Sequence, residues 1–186
     1  DARDDVIGLG LGGPESGHPP QKHQAAFELA YRAGLPALIH AGETDGPASI
    51  WGALETLHPQ RILHGVRCVE DPALVERLRE MQIALDICPV SNICLSVFPS
   101  IEAHPLPYLM ERGLNVTINS DDPPMFNTSL TNEYLTIAET FGLSGETIRA
   151  LVLSGVDNSL LKPDAKAALR TRFEQAFEGL LGQLEG

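Results

Sequence analysis

Five short apolar runs recur along the chain: Val6–Leu11, Pro36–His40, Arg61–His64, Ile83–Cys88 and Asn115–Asn119. Stretches with helical spacing lie between them, at Gln21–Ala33, Ala48–Leu57, Pro72–Met81 and His104–Glu111. Strands that alternate with helices in this way predict a parallel sheet with right-handed crossovers. Local signals agree. Asp71 is an N-cap followed by Pro72 at the first helical position. Gly34 and Gly113 stand where helices should stop. From Leu130 on the pattern changes to three helices, Leu130–Phe141, Gly145–Ser154 and Pro163–Leu184. Ser144 caps the second. Leu169, Phe173, Ala176, Phe177, Leu180 and Leu181 form an apolar stripe on the third. No linker or low-complexity segment interrupts residues 1–186, which read as a single domain.

The charge balance narrows the function. Thirteen Lys and Arg face 25 Asp and Glu, a net charge of −12 over 186 residues. Sequence-independent nucleic-acid binding needs Lys and Arg to neutralise phosphates, so no nucleic-acid partner is expected. No apolar run reaches the roughly 18 residues of a membrane span, so no membrane partner is expected either. The first residues lack the basic and apolar regions of a signal peptide. Cys68, Cys88 and Cys94 form no C-x-x-C pair, which points to small buried thiols in a reducing compartment. A cytoplasmic location is the expectation.

The strand ends carry the ionisable residues. Run one leads to Gly12-Gly13-Pro14-Glu15, run two to His40-Ala41-Gly42-Glu43 and run three to His64-Gly65. Run four leads to Cys88-Pro89-Val90-Ser91-Asn92 and run five to Ser120-Asp121-Asp122-Pro123. A (β/α)8 barrel builds its site at the C-terminal ends of its strands. An open doubly wound sheet does the same, so position alone leaves both open. Each residue also has a plain structural reading. His40 and Glu43 fit a buried His beside a helix-capping Glu, and His64 a hydrogen-bonded strand end. Asp122 fits an N-cap before Pro123. Asn92 fits a turn over the mouth of the site as well as a ligand contact. His18, His23, His58 and His104 read as surface residues. Trp51 and Phe126 read as core packing or as walls of an apolar pocket. Together, two His, one Glu and two Asp at three strand ends make a nitrogen and oxygen donor set that suits a catalytic Zn²⁺ or a similar ion.

HAGE at 40–43, HG at 64–65, CPVSN at 88–92 and NSDDP at 119–123 resemble the adenosine deaminase family in order and spacing. The resemblance runs from about Val6 to about Leu161. It implies an α/β fold, the (β/α)8 TIM barrel of metal-dependent hydrolases, with one zinc per subunit. His40 and Asp121 would be zinc ligands. Glu43 would protonate N1 of a purine, and His64 would orient the attacking hydroxide. Asp122 would meet N7, and the Gly13 N–H would meet N3. The reaction implied is hydrolytic deamination of a small-molecule purine nucleoside or base, with release of ammonia. Adenosine ranks first, aminodeoxyfutalosine next and free adenine third. The family draws two further ligands from an H-x-H pair, which these residues lack. The chain therefore reads as a C-terminal portion with about five strands plus C-terminal helices, inactive alone. Two other readings remain: a purine-binding member without turnover, and a metal-free barrel using Gly10–Gly13 as a phosphate nest. An upstream H-x-H pair would favour the enzyme.

Overall fold

A computed structural model describes the backbone of residues 6–184 and the side chains through residue 180. Five strands form one parallel sheet: β1 (Leu9–Leu11), β2 (Ala37–Ala41), β3 (Pro59–His64), β4 (Ala84–Ile87) and β5 (Val116–Ile118). Their spatial order equals their chain order, and every neighbouring pair is parallel. This is the strand arrangement of a partial (β/α)8 barrel, five strands of the eight in a complete one. The crossovers carry α1 (Gln24–Arg32), α2 (Pro47–Thr56), α3 (Pro72–Met81), α4 (Pro89–Cys94) and α5 (Leu106–Glu111). The short α6 (Pro123–Phe126) follows β5, and α7 (Leu130–Phe141), α8 (Gly145–Asp157) and α9 (Pro163–Leu184) complete the chain.

The register explains the two faces of the sheet. Ile39, Ile62, Leu85 and Val116 share one row and are buried. Ile50, Ala53, Leu57, Leu74, Leu78, Leu106, Leu109 and Ile137 belong to the same core. Burying each Leu, Ile or Val among them contributes roughly 1.5–3 kcal/mol. The next row along is His40, Leu63, Asp86 and Thr117. It carries a polar network: Arg61 Nε donates to Asp86 Oδ1 at 3.1 Å, and the Thr117 hydroxyl donates to the same oxygen at 2.8 Å.

The capping signals hold. Asp71 accepts from the N–H of Ala73 and Leu74, and also from the Trp51 indole at 2.9 Å. Ser144 accepts from Thr147 N at 3.2 Å. Gly34 and Gly113 have left-handed backbones, φ +72° and +73°.

Several boundaries differ from expectation. The first run forms a strand only at Leu9–Leu11. The expected helix Gln21–Ala33 begins as a 3-10 turn, Pro20–His23, before α1. Pro89–Cys94 is a short helix rather than a plain turn. Of the apolar stripe of α9, Phe173 is 38% and Leu180 57% exposed, and the Leu181 side chain lies outside the described residues. Helical spacing fixes which residues share a face, but not whether another element covers it. Among the described residues, no helix is long and apolar enough to cross a membrane.

Candidate active site

The chain turns sharply after β2 because Gly42 sits there. Its φ is +75°, and a Cβ would lie 2.3 Å from Ile50 Cδ1. The turn brings Glu43 back beside His40. Glu15 anchors it from below: its carboxylate accepts from the N–H groups of Gly42 (2.6 Å), Glu43 (2.9 Å) and Thr44 (3.0 Å). Burial opposes charge on Glu15, but these donors and the Ser49 hydroxyl prevail and hold its carboxyl below the usual range.

His40, Glu43 and His64 converge. Their ligand atoms all lie within 4.8 Å of one another. His40 Nε2 is 3.1 Å from Glu43 Oε2, and His64 Nδ1 is 3.2 Å from Glu43 Oε1. Glu43 and His64 are buried, at 2% and 5% exposure. Burial disfavours charge on His40, yet the Glu43 bond and the Glu15 and Glu43 charges raise its pKa. His64 moves the other way: burial and the neighbouring His40 outweigh the carboxylates and lower it.

A second cluster shares His64. Its ligand atoms lie within 4.8 Å of those of Cys88 and Asp121. Asp121 Oδ2 is 3.9 Å from His64 Nε2 and accepts from the Ser91 hydroxyl at 2.6 Å. Neither cluster contains both His40 and Asp121; His64 connects them. His64 and Asp121 both have left-handed backbones, φ +66° and +54°. Such conformations cluster where function over-determines the chain.

The donors present fit a zinc-type ion. The His40 Nδ1 lies 3.1 Å from the Gly13 carbonyl. A backbone carbonyl at Nδ1 places the ring proton there and leaves the Nε2 lone pair for a metal, a common support for a ligating histidine. Asp121 adds a carboxylate oxygen. Burial pushes the Cys88 thiol up, which disfavours its thiolate form. His40 and Asp121 would offer one nitrogen and one oxygen donor to such an ion.

The remaining predicted residues stand at the margin. Asp122 is exposed and caps α6 by accepting from Met125 N at 3.4 Å. Gly13, φ +108°, helps line a cavity of about 190 Å³ with Glu15, His18, His23 and His40. On the other side, Leu63, His64, Asp86, Cys88, Asn119 and Asp121 help line a cavity of about 340 Å³. A larger cavity of about 470 Å³ lies away from this chemistry, against α8 and α9, where Arg149 and Arg170 are balanced by Glu146, Asp157 and Glu174.

His104 corrects the surface reading: it is 3% exposed and bonded to Asn92. Asn92 is fully buried and donates to Glu43 Oε1 at 2.9 Å. Glu133 is also fully buried; it accepts from Val90 N at 3.0 Å and from the Thr128 hydroxyl at 2.8 Å. Nothing local in the sequence marks Glu15 or Glu133 as internal, because the backbone donors to both come from distant segments.

The family model described as "Adenosine deaminase" matches residues 1–176. An adenine deaminase of Chelativorans sp. is 43% identical over 173 residues, covering 93% of this chain and 53% of that protein. An aminodeoxyfutalosine deaminase of Streptomyces coelicolor is 42% identical over 164 residues, 88% of this chain and 42% of that protein. Among solved structures, an adenine deaminase from Arthrobacter aurescens superposes with a TM-score of 0.90 at 34% identity, covering 93% of this chain and 53% of that one. An amidohydrolase from Burkholderia ambifaria with bound Zn gives a TM-score of 0.89 at 27% identity, covering 98% and 51%. The chain thus spans about half the length of the curated relatives it matches. These relatives are named for adenine and aminodeoxyfutalosine, whereas the sequence expectation ranked adenosine first and adenine third. With a match across nearly its whole length and relatives above 40% identity, the chain belongs to the adenosine deaminase family.

Proposed function

We propose that the protein containing this chain is a zinc-dependent hydrolase that converts adenine and water to hypoxanthine and ammonia. The observation that carries the reading is the buried convergence of Glu43, His64 and His40 at the ends of neighbouring strands. The adenine deaminase relatives support adenine as the substrate.

His40 and Asp121 would hold the ion from this chain. When bound, zinc supplies Lewis acidity and a nucleophile usable at neutral pH. Glu43 delivers a proton to ring N1, which offsets the charge that develops as C6 loses its aromatic character. One oxygen of Glu43 is already held by Asn92, so little reorganisation accompanies the transfer. His64 lies between Glu43 and Asp121 and orients the attacking water over C6. Asp122 uses its second oxygen at N7, and the Gly13 N–H meets N3. Those two contacts decide how the ring lies, not whether it reacts.

The test follows ammonia release by the metal-loaded parent protein from adenine, aminodeoxyfutalosine and adenosine side by side. Release from adenine, abolished by a chelator and restored by zinc, is expected. The relative from Streptomyces coelicolor supports one second reading: release from aminodeoxyfutalosine alone would establish it. No release from any of the three, with metal stoichiometrically bound, would leave a purine-binding protein without turnover.

A further inference from the structure

The roles above leave one buried titratable side chain unused. His104 precedes α5 and packs its ring edge-on to Phe98, with centroids 5.2 Å apart. The Leu106 backbone N–H donates to its Nδ1 at 3.1 Å. A backbone N–H can only donate, so Nδ1 is the acceptor and the ring proton is on Nε2. That Nε2–H faces Asn92 Oδ1 at 3.2 Å and donates to it.

The consequence passes through the Asn92 amide. With its oxygen taken by His104, its NH2 group points the other way. There it donates to Glu43 Oε1 at 2.9 Å and lies 3.3 Å from His64 Nδ1. The opposite flip would set NH2 against the His104 N–H, which is repulsive, and would give up the donation to Glu43 Oε1. The Asn92 backbone is pinned as well, with its N–H on Cys88 O and its carbonyl accepting from Val97 N. Each member of this relay is buried.

We propose that His104 is a positioning residue: its Nε2–H fixes the Asn92 amide, and that amide fixes the proton-donating carboxyl of Glu43. The proposal rests on the deaminase reading only in giving Glu43 that role. Burial lowers the His104 pKa to about 4, so the ring keeps one proton and this tautomer at neutral pH.

The test compares two substitutions in the metal-loaded parent protein. His104→Gln places an amide donor near the position of Nε2. His104→Asn can still accept from the Leu106 N–H but is too short to reach Asn92. His104→Asn is expected to lower kcat about 10–100-fold with KM within about twofold, the signature of a misplaced reacting group. His104→Gln is expected to recover kcat to within about threefold of the parent on that same scale. Metal content and Tm should match between the two. Full kcat in His104→Asn, or an equal loss in His104→Gln, would overturn the proposal. Nitrogen-15 NMR of the parent gives a readout independent of turnover and of variant folding. The Nε2–H tautomer at His104 is expected, and an Nδ1–H tautomer would overturn the proposal. Should the parent release no ammonia from any aminopurine, the functional reading falls alone, and the tautomer still decides on His104.

Discussion

Asn92 Nδ2 and Glu43 Oε1 are joined across 2.9 Å, although 49 positions separate the two residues in the chain. The other Glu43 oxygen lies 3.1 Å from His40 Nε2. The carboxyl is therefore oriented by the protein before any ligand arrives, as the role proposed for Glu43 requires.

Glu43→Gln keeps the size and the polar contacts of this side chain and removes only the transferable proton. In the metal-loaded parent, ammonia release is expected to fall by about 10²–10⁴-fold. Bound zinc, read by atomic absorption, should remain at the parental stoichiometry. Near-normal turnover would refute the role of Glu43.

Gly42 offers a test of the turn itself. Gly42→Ala combines a left-handed φ with a Cβ 2.3 Å from Ile50 Cδ1. A loss of about 3 kcal/mol in urea unfolding is expected. Gly34→Ala is the control, since it has a similar φ of +72° but nothing within 4 Å. It should cost only about 1 kcal/mol. Equal costs would mean that the contact with Ile50 is unimportant.

Glu15 should make stability depend on acid. Its folded pKa lies below the ordinary value of 4.5, so its contribution is fully present above that value and is lost as pH falls through the folded pKa. Glu15→Gln should lose about 2 kcal/mol at pH 7, because three backbone donors then face a neutral, poorer acceptor. The variant should also show a shallower loss of stability below pH 4.5. A parallel pH profile would contradict this.

His104 gives a slope in a different window. Its pKa drops from an ordinary 6.5 to about 4 on folding. Between those values the unfolded chain binds a proton that the folded one refuses, so stability falls as pH falls. The slope from this residue is about 1.4 kcal/mol per pH unit. Urea titrations from pH 7 to 5 should therefore show a flatter profile for His104→Gln than for the parent. No difference in slope would show that His104 is exposed to water.

The cysteines allow a simple chemical check. Cys94 is exposed, whereas Cys68 and Cys88 are buried. Burial also pushes the Cys68 thiol up to about 12. Of these three thiols, a disulfide reagent at pH 8 should label Cys94 quickly and the other two only after denaturation. Rapid labelling of Cys88 in the native protein would show that the interior around Asp121 is open.

Much of the architecture was legible because it depends on local patterns. The alternation of apolar runs with helical stretches located all five strands, and Asp71-Pro72 and Ser144 marked helix starts correctly. The convergence of His40, Glu43 and His64 was legible because they sit in short motifs at strand ends. Asn92 and His104 were harder. A His before Pro105 looks like any loop residue, and its burial is decided by Phe98 and Asn92, which reach it only in three dimensions. Glu15 is similar: its three donors lie 27 to 29 positions away. The exposed stripe on α9 erred in the other direction, since periodicity describes a face without naming its neighbour.

The left-handed backbones at His64 and Asp121 bear on how this sequence can drift over generations. A lineage that abandons the chemistry must still make both turns. Asn, Asp, His and Gly tolerate that conformation, and β-branched residues do not. Decay at these two positions should therefore run toward Asn or Gly and avoid Val, Ile and Thr. A relative with Asn at position 121 would betray lost turnover while its scaffold stayed intact.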